Sequence, residues 1–169
     1  MTIEKNDQTN KGEIKMKKMK HILKNEKGLT LIELLAVIVI LAIVAAIAVP
    51  AIGNIIDNSR DKAILADASN ILAGAKLAVI DGACKLSTDK TTTTCDKDIL
   101  KSVVEGIKIG DTDQVVKTEA TGVWTVTYGK LAQIKNTKKF TVTAADDIPA
   151  YTGGATSITE KSLNKAMNQ

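Results

Sequence analysis

The chain reads as α+β: one long N-terminal α-helix, half membrane-spanning and half amphipathic, packed on a small antiparallel β-sheet domain. Three observations predict this class. Sixteen uninterrupted apolar residues run from Leu34 to Val49. Apolar residues then recur at spacings of three and four as far as about Asp81. Beyond Gly82 that period gives way to short alternating segments rich in β-branched residues.

Four stretches follow from this in order: a basic leader over 1–28, a transmembrane half-helix over 29–53, an amphipathic half-helix over 54–82, and a small globular sheet domain over 83–169. A chain of 169 residues has room for one small domain beside a membrane segment. Four aromatics (Trp124, Tyr128, Phe140 and Tyr151) serve the whole chain, so the core of that domain must be modest and largely aliphatic.

The net charge of +4 belongs to the leader. Residues 1–28 hold eight lysines and four carboxylates, whereas residues 29–169 hold fifteen of each sign. A neutral remainder offers no electrostatic footprint for a polyanion. Residues 1–15 carry no apolar periodicity, and translation starting at Met16 or Met19 instead of Met1 would lose nothing of the pattern. The lysines from Lys17 to Lys27 hold the N-terminus in the cytoplasm by the positive-inside bias.

Leu29 to Ile52 is about 36 Å long as a helix, enough to cross about 30 Å of hydrocarbon. Glu33 inside it costs about 2–3 kcal/mol at a bilayer centre and less near the end where it lies. An ordinary single-pass anchor would tolerate Glu33 without using it. A secretory signal peptide is a second alternative, since Ala46-Ile47-Ala48 fits a small-x-small cleavage site. Against it, the apolar run is long and the helical pattern continues straight through that site.

The continuation places Ile56, Ala63, Ile64, Ala68, Ile71, Leu72, Ala75 and Val79 on one face and Asp57, Arg60, Asp61, Asp67 and Lys76 mostly elsewhere. Gly82 is positioned to end the helix. Pro50 lacks an N–H and Gly53 weakens the helix, so a kink or a meltable segment is expected there. Cys84 and Cys95, in an exported domain, most simply form a disulfide closing a polar loop. One or two helical turns are expected over 98–105 and short strands over 107–109, 114–117 and 123–128. A strand over 139–144 is expected to pair with the last of these, and a closing helix to span 159–167.

At Lys27-Gly28-Leu29-Thr30-Leu31-Ile32-Glu33 and the apolar run after it, the sequence resembles the class III leader of type IV pilins and pseudopilins. The shared features are glycine before the cut, a hydrophobic first mature residue, glutamate five residues in and a proline 21 residues after the first, here Gly28, Leu29, Glu33 and Pro50. The resemblance covers residues 16 to about 60. It implies that a prepilin peptidase cuts between Gly28 and Leu29 and methylates the new amine of Leu29. It further implies that subunits stack through their apolar helices, with Glu33 and Pro50 serving filament assembly. Leu29 departs from the phenylalanine with which many members begin.

The implied partners are copies of the chain, other pilins, the peptidase, the membrane, and an assembly platform with its ATPase; DNA enters only for a competence pilus. The implied place is the cytoplasmic membrane before assembly and a cell-surface filament after it, serving adhesion, motility, DNA uptake or secretion. A monomeric surface binding domain, anchored or secreted, is the alternative.

Glu33 also has a physical role to fill. Cleavage would create a cationic amine on an apolar helix, and pairing it with a carboxylate of a neighbouring subunit relieves the burial of both and sets axial register. The simpler reading is a favourable interaction with the helix dipole, worth under about 1 kcal/mol.

No catalytic constellation and no cofactor site is expected. The only histidine, His21, lies in the leader, which removes triads and histidine–metal sites from the mature chain. Asp111-Thr112-Asp113 opens like a calcium loop but lacks later ligands at loop spacing and reads as an acidic turn. The lysines of 135–139 lack interleaved aromatics for nucleic acid and read as a protective strand edge.

Overall fold

A computed structural model describes residues 30–145 and 148–169. The leader expected over 1–28 lies outside the described residues. Helix α1 spans Leu31–Ile80 and is helical through Pro50 and Gly53. After it come β1 (Lys85–Leu86), β2 (Thr92–Cys95), α2 (Lys97–Val103), β3 (Gln114–Thr118), β4 (Trp124–Thr127), a 3-10 turn (Gly129–Gln133), β5 (Ser157–Thr159) and α3 (Glu160–Met167). The strands form one antiparallel sheet in the order β1-β2-β3-β4-β5, a meander in which each strand pairs with its sequence neighbour. The chain divides into two compact units between Val49 and Pro50.

Within the second unit the upper part of α1 supplies one wall of the core. Ile64, Leu65, Ala68, Ile71, Leu72, Ala75 and Ala78 are buried at the spacing of one helical face. Cys95, Val115, Val126 and Ile158 meet them from the sheet, and Leu100, Leu163 and Ala166 close the sides. The registers Cys95↔Val115, Val115↔Val126 and Val126↔Ile158 set these four on one sheet face. Small residues on α1 let neighbours come close. A Cβ on Gly74 would lie 2.7 Å from Val104 Cγ2. The helix stops in a Schellman arrangement: Ala83 N donates to Ala78 O at 2.9 Å, Gly82 N donates to Val79 O at 3.1 Å, and Gly82 takes φ +72.

Four expectations are corrected. Ile56 and Ala63 are exposed, and the buried face of α1 begins instead at Asp61. The carboxylate of Asp61 accepts Lys135 N at 3.0 Å and Asn136 N at 2.8 Å. Lys135 Nζ pairs with Asp57 at 2.8 Å and Asn136 Nδ2 donates to Asn58 at 3.0 Å, so the 134–136 loop is clamped along the helix. The threonine run is strand rather than loop, because Thr93 and Cys95 point inward while Thr92 and Thr94 face out. Residues 107–109 form no strand; Ile109 is buried from a loop.

Lastly, β4 pairs with Ser157–Thr159 and not with 139–144. That segment instead uses Phe140 and Val142 for burial and makes a single bridge, Val142↔Tyr151. Gly153 holds the return close, since a Cβ there would sit 2.3 Å from Thr137 O.

Both tyrosines are buried. Burial, together with Asp67 accepting the hydroxyl at 3.2 Å, raises the Tyr128 phenol well above its usual range, and burial raises Tyr151 as well. A raised folded-state pKa stabilises the fold fully below the unfolded value of about 10, and the contribution is lost as pH rises beyond it. Tyrosinate absorbance of the folded chain at about pH 11 should therefore stay well below that of two free phenols, with Tyr128 ionising only on unfolding. Smooth ionisation at about pH 10 without unfolding would contradict this burial. Asp61→Ala should strand two part-buried N–H groups and lower stability by about 1–3 kcal/mol in urea unfolding followed by Trp124 fluorescence. A loss below about 0.5 kcal/mol would show that the clamp contributes little.

Candidate functional site

The lower part of α1 is apolar all round. Of nineteen exposed large hydrophobic residues among those described, sixteen lie between Leu31 and Ile56. None of the residues of its most apolar 18-residue window is buried within the chain. From Leu31 to Val49 the helix rises about 28 Å, close to the thickness of a bilayer's hydrocarbon. A surface of this extent and uniformity needs lipid or other apolar helices around it.

Its one charge, Glu33, sits in the first turn. Thr30 N donates to Glu33 Oε2 at 2.7 Å, and Glu33 N donates to Thr30 Oγ1 at 3.3 Å. This is a reciprocal capping box: the side chain of each residue satisfies a main-chain N–H of the other. The Thr-x-x-Glu spacing that produces it was open to view in the sequence, where Glu33 stood out for its charge and Thr30 did not. With its carboxylate so engaged, Glu33 gives up part of its solvation without leaving an unpaired donor at the helix start.

Gly28 and Leu29 lie outside the described residues. Pro50 is inside α1, where it contributes no N–H to the ladder. Residues 50–56 are all exposed, and beyond the helix's own adjoining backbone no atom lies within 4 Å of where a Gly53 Cβ would stand. This turn is therefore held by helix bonds alone, and the bond to Ala46 O that Pro50 cannot donate is missing from the turn before it. Cys84 and Cys95 are joined by a disulfide with Cα atoms 4.6 Å apart. It ties the residue just past α1 to the inner face of β2, where the Cys95 side chain is buried.

The Asp111–Asp113 turn holds its own backbone. Asp113 is buried and accepts Gly110 N at 2.7 Å and Gly129 N at 2.8 Å, while Asp111 pairs with Lys97 at 2.7 Å. These carboxylates are engaged by the fold. Among the described residues no group of three or more histidine, cysteine or acidic side chains is arranged to hold a metal. The structural task of Asp61 is not visible in the sequence because it lies in a charged stretch and its partners are main-chain groups 74 and 75 residues away.

Residues 23–49 match a family model described as the prokaryotic N-terminal methylation motif. This motif is characteristic of type IV pilins and pseudopilins. It supports reading the chain as a precursor of that kind, and it implies processing by a prepilin peptidase. With the apolar helix it fits membrane anchoring before assembly. No curated protein and no solved structure matches the chain.

Thr30→Val should remove one half of the capping box and weaken the helix start by about 1 kcal/mol. Amide exchange at Leu31 to Leu34 in micelles should accelerate about fivefold, whereas the amides of Ile64 to Ala78 should be unchanged. Equal exchange at the first turn in both proteins would show that the cap adds nothing.

Proposed function

We propose that the chain is a structural subunit of a type IV pilus-like filament, made as a precursor, cut between Gly28 and Leu29, and methylated on the Leu29 amine. The observation that carries this reading is the methylation-motif segment continuing into the exposed apolar half of α1, whose single charge up to Ile56 is Glu33. Work of this kind needs no chemistry from the globular part, whose buried carboxylates are spent on its own loops.

On this reading cleavage leaves a cationic amine one residue before the Thr30–Glu33 cap. Inserting that amine among apolar helices is costly unless a carboxylate meets it. Glu33 of an adjoining subunit supplies the partner, and its own capping bonds keep it satisfied until then. The ion pair would also fix how far one helix slides along the next. The weak turn over 50–56, with Pro50 at its start, would let the apolar half adapt to its neighbours while the clamped part of α1 stays rigid. The partners are other copies or related subunits, the peptidase and an assembly machine in the membrane, with adhesion, motility, DNA uptake and secretion as the filament's candidate duties.

Intact mass and N-terminal sequencing of the protein from its native cell surface test the proposal directly. A chain beginning at methylated Leu29 supports it. A start at Val49 or beyond would instead indicate a secreted domain, and an uncut chain a plain membrane anchor. Glu33→Ala should leave cleavage intact but reduce sheared, sedimentable filaments at least tenfold; abundant filaments from this variant would overturn the assigned role of Glu33.

A further inference from the structure

We infer that the foot of the globular unit carries a basic collar that binds anionic phospholipid headgroups of the outer leaflet before assembly. The inference rests on the membrane-spanning reading of the apolar helix, and its geometry lies wholly within the unit that begins at Pro50. Ile52, Ile55 and Ile56 are exposed there, and polar side chains take over at Asp57. Within the next turn and a half of helix, Arg60 and Lys62 are both exposed.

The clamp described above brings a second set of cations to the same level. Asp61, Asp57 and Asn58 hold Lys135 and Asn136 against α1, and Lys138 and Lys139 follow within three residues. Lys135 and Lys138 are exposed, and Lys139 is half-buried with its ammonium over the Phe140 ring, 5.6 Å from the centroid. The collar thus holds five cations, Arg60, Lys62, Lys135, Lys138 and Lys139, against the carboxylates of Asp57 and Asp61. Both of those are already engaged by the 134–136 loop.

Charge distribution gives the argument its direction. Among the described residues fifteen cations stand with thirteen carboxylates, which leaves ten cations and eleven carboxylates outside the collar. The part of the chain after the leader, balanced in sign as a sequence, therefore sets five cations against two carboxylates beside its exposed isoleucines. Apolar side chains next to Lys and Arg, with the stems available to reach outward, are the composition of a headgroup-level surface. Each basic residue near an anionic membrane is expected to strengthen the contact about fivefold, and added salt weakens it.

The test uses the full-length protein in lipid nanodiscs, either zwitterionic phosphatidylcholine alone or with about one-third phosphatidylglycerol. Lysine acetylation is followed by mass spectrometry, with Lys90 in the exposed β1–β2 turn as internal control. Labelling of Lys62, Lys138 and Lys139 should slow at least threefold in the anionic discs, recover in high salt, and leave Lys90 unaffected. Arg60→Gln combined with Lys138→Gln should abolish the lipid dependence at Lys62 and Lys139 without shifting Tm.

Equal labelling in both lipids would overturn the collar. Protection that ignores lipid charge but grows with the number of chains per disc would overturn it in favour of a second copy on this face. Failure to co-elute with discs of either composition would overturn the spanning helix itself, and so is distinguishable from failure of the collar.

Discussion

The globular unit depends on one narrow helical face. With four aromatics in the chain, hydrophobic burial has to come from aliphatic side chains at close range, and α1 provides it through Ile64, Leu65, Ile71 and Leu72 set among alanines and Gly74. The small residues matter as much as the large ones. They let α2 and the sheet approach the helix axis closely enough for short side chains such as Val115 and Val126 to fill the space between. Bulkier residues at Ala68 or Gly74 would hold the layers apart, and a chain this poor in aromatics has little else to fill the gap.

Polar groups finish what the aliphatic face begins, each by holding a loop that has no strand to hold it. Asp61 takes two main-chain N–H groups from the 134–136 loop, Asp113 takes two from residues 110 and 129, and Asp96 and Thr159 cap α2 and α3. No buried side-chain nitrogen or oxygen among the described residues is left without a partner. The apolar half of α1 shows the opposite economy: among the described residues its most apolar window is nowhere buried, and its one carboxylate is settled into its own cap.

What the sequence made legible follows the strength of each local signal. The long helix, the stop at Gly82, β3, β4 and α3 all rest on period, propensity or capping within a dozen residues, and each lies within a few residues of its expected place. The N-terminal segment was legible for a different reason: Gly28, Leu29, Glu33 and Pro50 stand at fixed spacings in a motif, and the family model rests on part of the same stretch. Misreadings came where partners are far apart or the pattern is carried by unlikely residues. Thr92 to Cys95 alternates inward and outward, but four hydroxyls in a row conceal it. Lys139 to Ala144 has the look of a strand, yet β4 finds a better neighbour in three residues, Ser157 to Thr159, that are too short to announce themselves.

The meander also says something about how such a domain comes to exist. Because the spatial order of the strands is their order along the chain, each strand finds its partner already emerged as the polypeptide appears from its N-terminal end. Two of the four pairings, β1–β2 and β3–β4, close short loops and β2–β3 encloses only α2 and its flanks, so the entropic toll of bringing these ends together is low and the sheet can grow by accretion. The longest return is the last step, where β5 must come back across about thirty residues to cap β4 and deliver α3. Until it does, β4 presents an open edge, and the interval between the emergence of Thr127 and of Ser157 is the period in which two nascent chains are most able to pair with each other instead of with themselves.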